Sequence, residues 1–223
     1  MISRNIFVCF TLHTHMRLRT AHAIGAILIA TSKEFTCSSL EGKPLVCFQG
    51  TQSVRDLLLD DLNIRPISWP RKRDARVHGG FAQRTRRLSN TDELGVFIEE
   101  NDDFILTGHS LGGCCAILLA SKLERMGKRI HSVYTFGAPN LATPSFVKQY
   151  NREQDLCMRT HNIVLPRDPI VFKIPNVYRR VGLNCEIPFE SDSLWAHHDM
   201  ASYLFALEDA YSRGKCNITG TKT

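Results

Sequence analysis

Apolar and polar residues follow two periods along this chain. Short apolar runs rich in β-forming residues predict strands. These runs are residues 44–50, 104–107, 131–136 and 158–165. Longer segments with apolar residues at helical spacing predict helices. They are residues 16–33, 81–88, 92–100, 114–126, 143–150 and 193–211, the last with a break near its histidine pair. Because strands alternate with helices, we expect an α/β fold with a mainly parallel central sheet and helices on both faces.

The length and composition suit one globular domain. The chain has 223 residues, of which 43% are hydrophobic and 22% charged, and we find no internal repeat. We therefore expect a single domain over residues 1–223. The longest apolar stretch, residues 21–30, is much shorter than the roughly 20 residues needed to cross a bilayer, so no transmembrane helix is expected.

Residues 1–15 predict either a disordered terminus or a weak signal-like segment. Arg4 precedes a short apolar run, as in a secretory signal, but histidines and arginines follow where a small-residue cleavage site would stand. This pattern favours a soluble, cytoplasmic protein over a secreted one.

The eight cysteines are too sparse for a disulfide scaffold and include no C-x-x-C pair. We expect reduced thiols in the core, because Cys114 and Cys115 are adjacent within a predicted buried helix, where cysteine behaves as a small hydrophobic residue. No metal site is expected.

Positive charge is concentrated in residues 65–87. The formal net charge is +6, this window has eight basic residues and one acidic residue, and the rest of the chain is nearly neutral. The window predicts either a solvated basic face without a partner or a surface that attracts phosphates. Its interspersed apolar residues favour peripheral binding to an anionic membrane over binding to nucleic acid. Residues 65–76 contain two prolines and no clear period, which predicts a long loop or flap.

One short motif indicates chemistry. Residues 108–112 read G-x-S-x-G between a predicted strand and a predicted helix. This context is typical of a strained strand-to-helix turn that exposes a nucleophilic serine, here Ser110. Gly108 and Gly112 leave room for the turn, and the new helix directs its positive end toward the site. Because a serine hydroxyl is inert at neutral pH, Ser110 needs a histidine oriented by a carboxylate.

Candidates for both partners follow Ser110 in the chain order that this kind of turn requires. Asp168 comes just after the predicted strand over 158–165, where α/β sheets place functional loops. Only His197 and His198 follow Asp168. Adjacent residues point in different directions, so at most one of them can be the base, and the other is expected at the surface or as a helix cap.

Several strings resemble the class 3 lipase family, which comprises the fungal-type lipases and related plant acylhydrolases of the α/β-hydrolase superfamily. Besides G-H-S-L-G-G, they are F-Q-G-T at 48–51, S-V-R-D-L-L-L-D-D-L at 53–62, V-H-G-G-F at 77–81, V-Y-T-F-G-A-P at 133–139 and D-P-I-V at 168–171. Gln49 departs from the arginine that the family has after the phenylalanine. The resemblance implies an α/β-hydrolase fold with a lid-like loop.

The resemblance also implies roles for individual residues. Residues 198–204, H-D-M-A-S-Y-L, are similar to the plant-type string that contains the catalytic histidine, which selects His198 over His197. The oxyanion-hole amides would belong to Thr51 and Leu111. The lid would span residues 63–76. Its interface residues are Trp69, Arg71, Lys72 and Arg73.

The function implied by the resemblance is hydrolysis of carboxylic esters of lipids at a lipid–water interface, as in triacylglycerol lipases, through a Ser-His-Asp triad and an acyl-enzyme. No cofactor is required for this chemistry. A phospholipase A1, a galactolipase and a feruloyl-type esterase remain open, since pocket shape sets head-group choice. The alternative that is not an enzyme is a catalytically inactive hydrolase fold that binds lipid or protein.

Overall fold

A twisted sheet at the centre of the molecule organises the fold. The computed structural model describes residues 26–32, 34–50, 65–69, 75–171, 177–213 and 221–222. The strands are Ala26–Thr31 (β1), Phe35–Leu40 (β2), Lys43–Phe48 (β3), Pro66–Ser68 (β4), Arg76–His78 (β5), Asp103–His109 (β6), Arg129–Phe136 (β7), Thr160–Val164 (β8), Leu183–Glu186 (β9) and Thr221–Lys222 (β10). Eight of these described strands form the main sheet in the order β1-β2-β3-β6-β7-β8-β9-β10, and β4 pairs with β5 separately.

Helices connect β3 to β6, β6 to β7 and β7 to β8. The α-helices are Gly79–Leu88 (α1), Asp92–Glu99 (α2), Leu111–Arg125 (α3), Pro144–Lys148 (α4) and Met200–Ser212 (α5). A π-helical turn, Gln149–Glu153, continues α4, and 3₁₀ turns span Cys157–Arg159 and Leu194–His198. No helix in the described part of the chain is long and apolar enough to cross a membrane.

The middle of the sheet is parallel and its edges are antiparallel. The pairs β3–β6, β6–β7, β7–β8 and β8–β9 are parallel, whereas β1–β2, β2–β3 and β9–β10 are antiparallel. Successive residues of a strand face opposite sides of the sheet. Phe104 and Leu106 of β6 accordingly join the core beneath α1, α2 and α3, while Ile105 joins the core beneath α5. The sheet is therefore buried on both faces, as the apolar strand runs require.

Most predicted elements are confirmed within a few residues. The four predicted strands correspond to β3, β6, β7 and β8, and the predicted helices over 81–88, 92–100 and 114–126 correspond to α1, α2 and α3. The last predicted helix is broken at Asp199, between the 3₁₀ turn that ends at His198 and α5. The six described cysteines are free thiols, five of them buried.

The predicted helix over residues 16–33 is wrong where the structure describes it, because Ala26–Thr31 form β1. The run A-I-L-I-A is apolar at every position, and periodicity cannot separate a short continuous apolar run from a helix face. Pairing with β2 decides in favour of the strand. The segment expected to be irregular after residue 65 likewise contains β4, paired with β5. Strands β2, β9 and β10 had no sequence prediction.

Helix α3 ends in a Schellman motif at Gly127, whose φ is +81°. The Gly127 N–H donates to the Glu124 carbonyl at 2.9 Å, and the Lys128 N–H donates to the Leu123 carbonyl at 3.0 Å. A Cβ at Gly127 would meet no heavy atom within 4 Å, so only the backbone conformation calls for glycine there.

We predict that Gly127→Ala lowers the free energy of unfolding by about 1 to 2 kcal/mol, because alanine is disfavoured in the left-handed region. The matched control is Gly95→Ala in α2, where a Cβ also meets open space but φ is not positive. That substitution should raise stability by about 0.5 to 1 kcal/mol. Urea denaturation of wild type and both variants measures the two changes in the free energy of unfolding. An increase in stability for Gly127→Ala would contradict the assigned helix cap.

Candidate active site

Ser110 occupies the turn between β6 and α3. Its backbone has φ 55° and ψ −126°, a conformation that residues other than glycine rarely adopt. The Ser110 N–H donates to the Phe136 carbonyl of β7 at 2.8 Å, which fixes the turn to the sheet. The side chain is nearly buried, with 2% of the residue exposed. A single strained residue thus directs its hydroxyl away from the end of the sheet.

Two glycines make this turn possible through close approach. A Cβ at Gly108 would lie 2.3 Å from the Gly112 carbonyl carbon, and a Cβ at Gly112 would lie 2.3 Å from the Phe48 carbonyl oxygen of β3. Neither position accommodates a side chain, because both obstacles are backbone atoms. The G-x-S-x-G spacing is therefore a packing requirement of β3, β6 and α3.

His198 connects Ser110 to Asp168. The Nε2 atom of His198 lies 3.0 Å from Ser110 Oγ, and Nδ1 lies 2.9 Å from Asp168 Oδ2 and 3.0 Å from Oδ1. A carboxylate only accepts hydrogen bonds, so Nδ1 has the proton and Nε2 accepts from the serine hydroxyl. Asp168 is fully buried and His198 is 5% exposed. The three side chains form one continuous line of hydrogen bonds.

Asp168 is held by several donors on the turn that follows β8. Its Oδ1 accepts from the Ile170 N–H at 2.8 Å and from the Val171 N–H at 3.4 Å, and its Oδ2 accepts from the Tyr203 hydroxyl at 2.7 Å. These donors stabilise a buried negative charge that would otherwise be costly. The turn requires a left-handed conformation at Arg167, with φ 63°.

Tyr203 of α5 is a site residue to which the sequence analysis assigned no role. Its hydroxyl donates to Asp168 and accepts from the Leu165 N–H at 3.2 Å, so it ties the carboxylate to the end of β8. Burial, with the adjacent Asp168 charge, holds the pKa of Tyr203 well above its ordinary value, and the phenol stays protonated. Its position five residues after His198, within the matched string 198–204, was the available signal.

His109 and Gly137 support His198 from the sheet. The Nε2 atom of His109 lies 2.8 Å from the His198 carbonyl oxygen, which can only accept, so His109 donates there. Gly137 has φ +58°, and a Cβ there would lie 2.8 Å from Asp168 Oδ2 and 3.1 Å from His198 Nδ1. The end of β7 consequently approaches the triad more closely than any side chain allows.

His197 does not lie at the surface or act as a helix cap, as the sequence analysis expected for the second histidine. It is 1% exposed, and its Nε2 lies 3.2 Å from the Ser191 carbonyl oxygen. Its ring packs nearly perpendicular to that of Phe189, with centroids 5.1 Å apart. His197 faces a different environment from His198 because the two adjacent side chains diverge on the 3₁₀ turn.

The remaining predicted site residues fall into two groups. Thr51, Arg71, Lys72 and Arg73 lie outside the described residues. Leu111 is the first residue of α3, where backbone N–H groups have no intrahelical acceptor. Trp69 is 1% exposed and packs in the core, with the Arg86 guanidinium 5.3 Å from its ring centroid. Among the described residues, no three His, Cys, Asp or Glu side chains are grouped so as to hold a metal ion.

Comparison with known proteins gives relatives over parts of the chain. The chain is 27% identical over 163 residues to the toxin TseL of Vibrio cholerae, and the match covers 68% of this chain and 25% of that protein. The chain is 29% identical over 110 residues to a lipase of Rhizomucor miehei, and the match covers 45% of this chain and 30% of that lipase. The chain is 38% identical over 95 residues to the triacylglycerol lipase OBL1 of Arabidopsis thaliana, and the match covers 38% of this chain and 18% of that protein. The chain thus spans less than a third of the length of these curated relatives.

Solved structures show the same fold at low sequence identity. A lipase from Rhizopus microsporus var. chinensis superimposes with a TM-score of 0.69 at 20% identity, covering 91% of this chain and 84% of that chain. The Lip2 lipase of Yarrowia lipolytica superimposes with a TM-score of 0.66 at 18% identity, and the match covers 90% of this chain and 81% of that chain. The profile of the class 3 lipase family matches residues 45–178, more than half of the chain. The chain has the α/β-hydrolase fold of the fungal lipases. Because the family profile matches more than half of it, the chain belongs to the class 3 lipase family.

Proposed function

We propose that this protein is a serine hydrolase of carboxylic esters that acts on lipids. The observation that supports this most strongly is the unbroken line from Ser110 Oγ through the His198 ring to Asp168, with distances of 3.0 and 2.9 Å. A general base needs such a distance to the proton that it removes. Ser110 is the proposed nucleophile, His198 the base and Asp168 the residue that orients the imidazole.

The reaction takes two half-cycles. Ser110 Oγ attacks the ester carbonyl carbon while its proton passes to His198 Nε2. The tetrahedral intermediate then expels the alcohol, which takes that proton, and an acyl-enzyme remains. Water attacks the acyl-enzyme with the same proton transfers and releases the fatty acid. Asp168 stabilises the imidazolium that forms in each half and is not protonated itself.

The developing oxyanion requires backbone donors. The Leu111 N–H, at the positive end of the 15-residue helix α3, is one proposed donor, and the Thr51 N–H is the other. One such donor is worth about 3 to 4 kcal/mol of transition-state stabilisation. Gly50, the residue before Thr51, supports this assignment, since a Cβ there would lie 3.5 Å from Ser110 Cβ.

Lipid esters are the proposed substrate class because two of the three curated relatives are described as lipases, one of them as a triacylglycerol lipase, whereas the third is described as a toxin. Residues 63–76 are the proposed lid, with Trp69, Arg71, Lys72 and Arg73 as its interface residues. Since Trp69 is packed in the core, contact with lipid requires its ring to leave that packing. A lid that rearranges in this way can open in response to a lipid surface.

The test of the proposed activity is hydrolysis of p-nitrophenyl butyrate by the wild type and by Ser110→Ala. We expect the substitution to reduce kcat by about 10⁴-fold or more, because the nucleophile is lost. The control is Ser212→Ala, at the exposed end of α5, which should keep the wild-type rate. Equal rates in wild type and Ser110→Ala would favour an inactive binding module.

Removing the Tyr203 hydroxyl should reduce kcat about tenfold and leave KM nearly unchanged, because Asp168 loses a charge-assisted hydrogen bond that orients His198. The variant is Tyr203→Phe, measured by steady-state kinetics. Tyr150→Phe is the matched control, since its hydroxyl is equally buried and bonds Thr160 at 2.8 Å, away from the triad. The same kcat in both variants would contradict a positioning role for Tyr203.

The basic residues between 65 and 87 should make vesicle binding depend on charge. We expect tighter binding to vesicles that contain anionic lipid, a loss of this preference as salt rises, and a loss of about 1 kcal/mol per residue when Arg71, Lys72 and Arg73 are changed to glutamine. Co-sedimentation with vesicles measures all three effects. Binding that ignores both lipid charge and salt would contradict the proposed anionic interface.

A further inference from the structure

Arg180 is a partly buried arginine between the edge of the sheet and the turn that contains Asp168. Its Nη1 donates to Asn184 Oδ1 on β9 at 3.3 Å, and its Nη2 donates to the Val171 carbonyl at 3.3 Å. Its Nε is buried and has no hydrogen-bond partner within the described ranges. The guanidinium therefore joins β9 to the turn that follows β8.

Val171 connects this guanidinium to the carboxylate of the triad. The Val171 N–H donates to Asp168 Oδ1 at 3.4 Å, and the carbonyl of the same residue accepts from Arg180. Two hydrogen bonds through one residue thus link the cation to the anion that orients His198. A change at Arg180 is expected to reach the carboxylate through this residue, because the turn is short and buried.

The charge of Arg180 also acts on the triad through the protein interior. Burial lowers the pKa of Arg180, and the anionic forms of Tyr203, Cys114 and Asp168 act in the opposite direction. Burial holds the pKa of the Tyr203 phenol and of the Cys114 thiol well above their ordinary values, so both stay neutral. Asp168 is therefore the anion with which the buried guanidinium interacts, and salt screens buried charges only weakly.

A cation beside the Asp168–His198 pair opposes the uptake of a proton by that pair. The pair changes from net negative to neutral when His198 is protonated, and a nearby positive charge favours the net negative form. Besides the neutral phenol and thiol, the titratable side chain next to His198 is His109 of β6, with ring centroids 4.7 Å apart. The guanidinium thus favours the unprotonated His198 that can act as a base.

We propose that Arg180 is a positioning residue of the triad. It holds the Asp168 turn through the Val171 carbonyl, and its charge keeps His198 available as a base at lower pH than the pair would allow without it. The inference rests on the proposed function and deepens it, because it names the group that sets the acid limit of activity. It assigns Arg180 no contact with substrate.

The test is the pH dependence of kcat/KM for p-nitrophenyl butyrate between about pH 5 and 9. Arg180→Gln and Arg180→Met both remove the charge, and we expect the acidic limb of the profile to move to higher pH by about 0.5 to 1 unit. Arg180→Lys keeps the charge and should restore the wild-type limb. Arg180→Met also loses the hydrogen bond to Val171, so its kcat at high pH should fall about fivefold with KM unchanged.

The matched control is Arg179→Gln, which removes the same charge from the adjacent, exposed residue. Its acidic limb should coincide with that of wild type, because water and salt screen an exposed charge. An unmoved limb in both uncharged variants of Arg180, or an equal shift in Arg179→Gln, would overturn the proposal. A shift that Arg180→Lys fails to restore would overturn the role of charge. If neither uncharged variant folds, Arg180 stabilises the fold and the proposal is overturned.

NMR titration of the imidazole nitrogens identifies the histidine that produces the limb. We expect the midpoint of His198 to move with the limb, and movement of His109 alone would overturn the proposal. Wild-type protein that hydrolyses the ester with the same acidic limb as Arg180→Gln would overturn this inference alone. Wild-type protein that fails to hydrolyse the ester would overturn the proposed function, and the NMR midpoints of His198 in wild type and Arg180→Gln would still measure the effect of the charge.

Discussion

The left-handed backbone of Ser110 is the constraint on which the rest of the site depends. A φ of 55° at a residue with a side chain costs about 1 to 3 kcal/mol and persists only where the surrounding structure determines it. Here that structure is the parallel contact of β3, β6 and β7. It places the Phe48 and Phe136 carbonyls around the turn and leaves no space for a Cβ at Gly108 or Gly112. The strain serves to direct the hydroxyl toward His198.

The polar line from Ser110 to Tyr203 is buried between the sheet and α5. Every charged or hydroxyl group along it has a hydrogen-bond partner, so burial strengthens the electrostatics without leaving an uncompensated charge. Tyr203 lies in the first turn of α5, and His198 ends the 3₁₀ turn just before it, so this one segment supplies two of the groups that hold the Asp168 carboxylate. The packing of one helix on the sheet therefore sets the geometry of the base and of the residue that orients it.

The sequence predicts the parts of this site that lie close together along the chain. The G-x-S-x-G spacing indicates Ser110 because strand, turn and helix are local, and chain order indicates Asp168 with one of two histidines. Contacts between distant segments have no such signal: Tyr203 meets Asp168, and His109 meets the His198 carbonyl, only once β8 and α5 are packed. The burial of Trp69 and His197 also depends on tertiary packing. For β1, pairing with β2 overrides an ambiguous apolar run.

The most direct measurement of the central claim is covalent labelling with a fluorophosphonate, which reacts with serines that a histidine activates. Mass spectrometry of the intact protein should find one adduct per chain, and peptide mapping should locate it on Ser110. His198→Ala, which removes the base, should react at a rate lower by orders of magnitude. An unlabelled wild-type protein, or a label on another serine, would contradict the account.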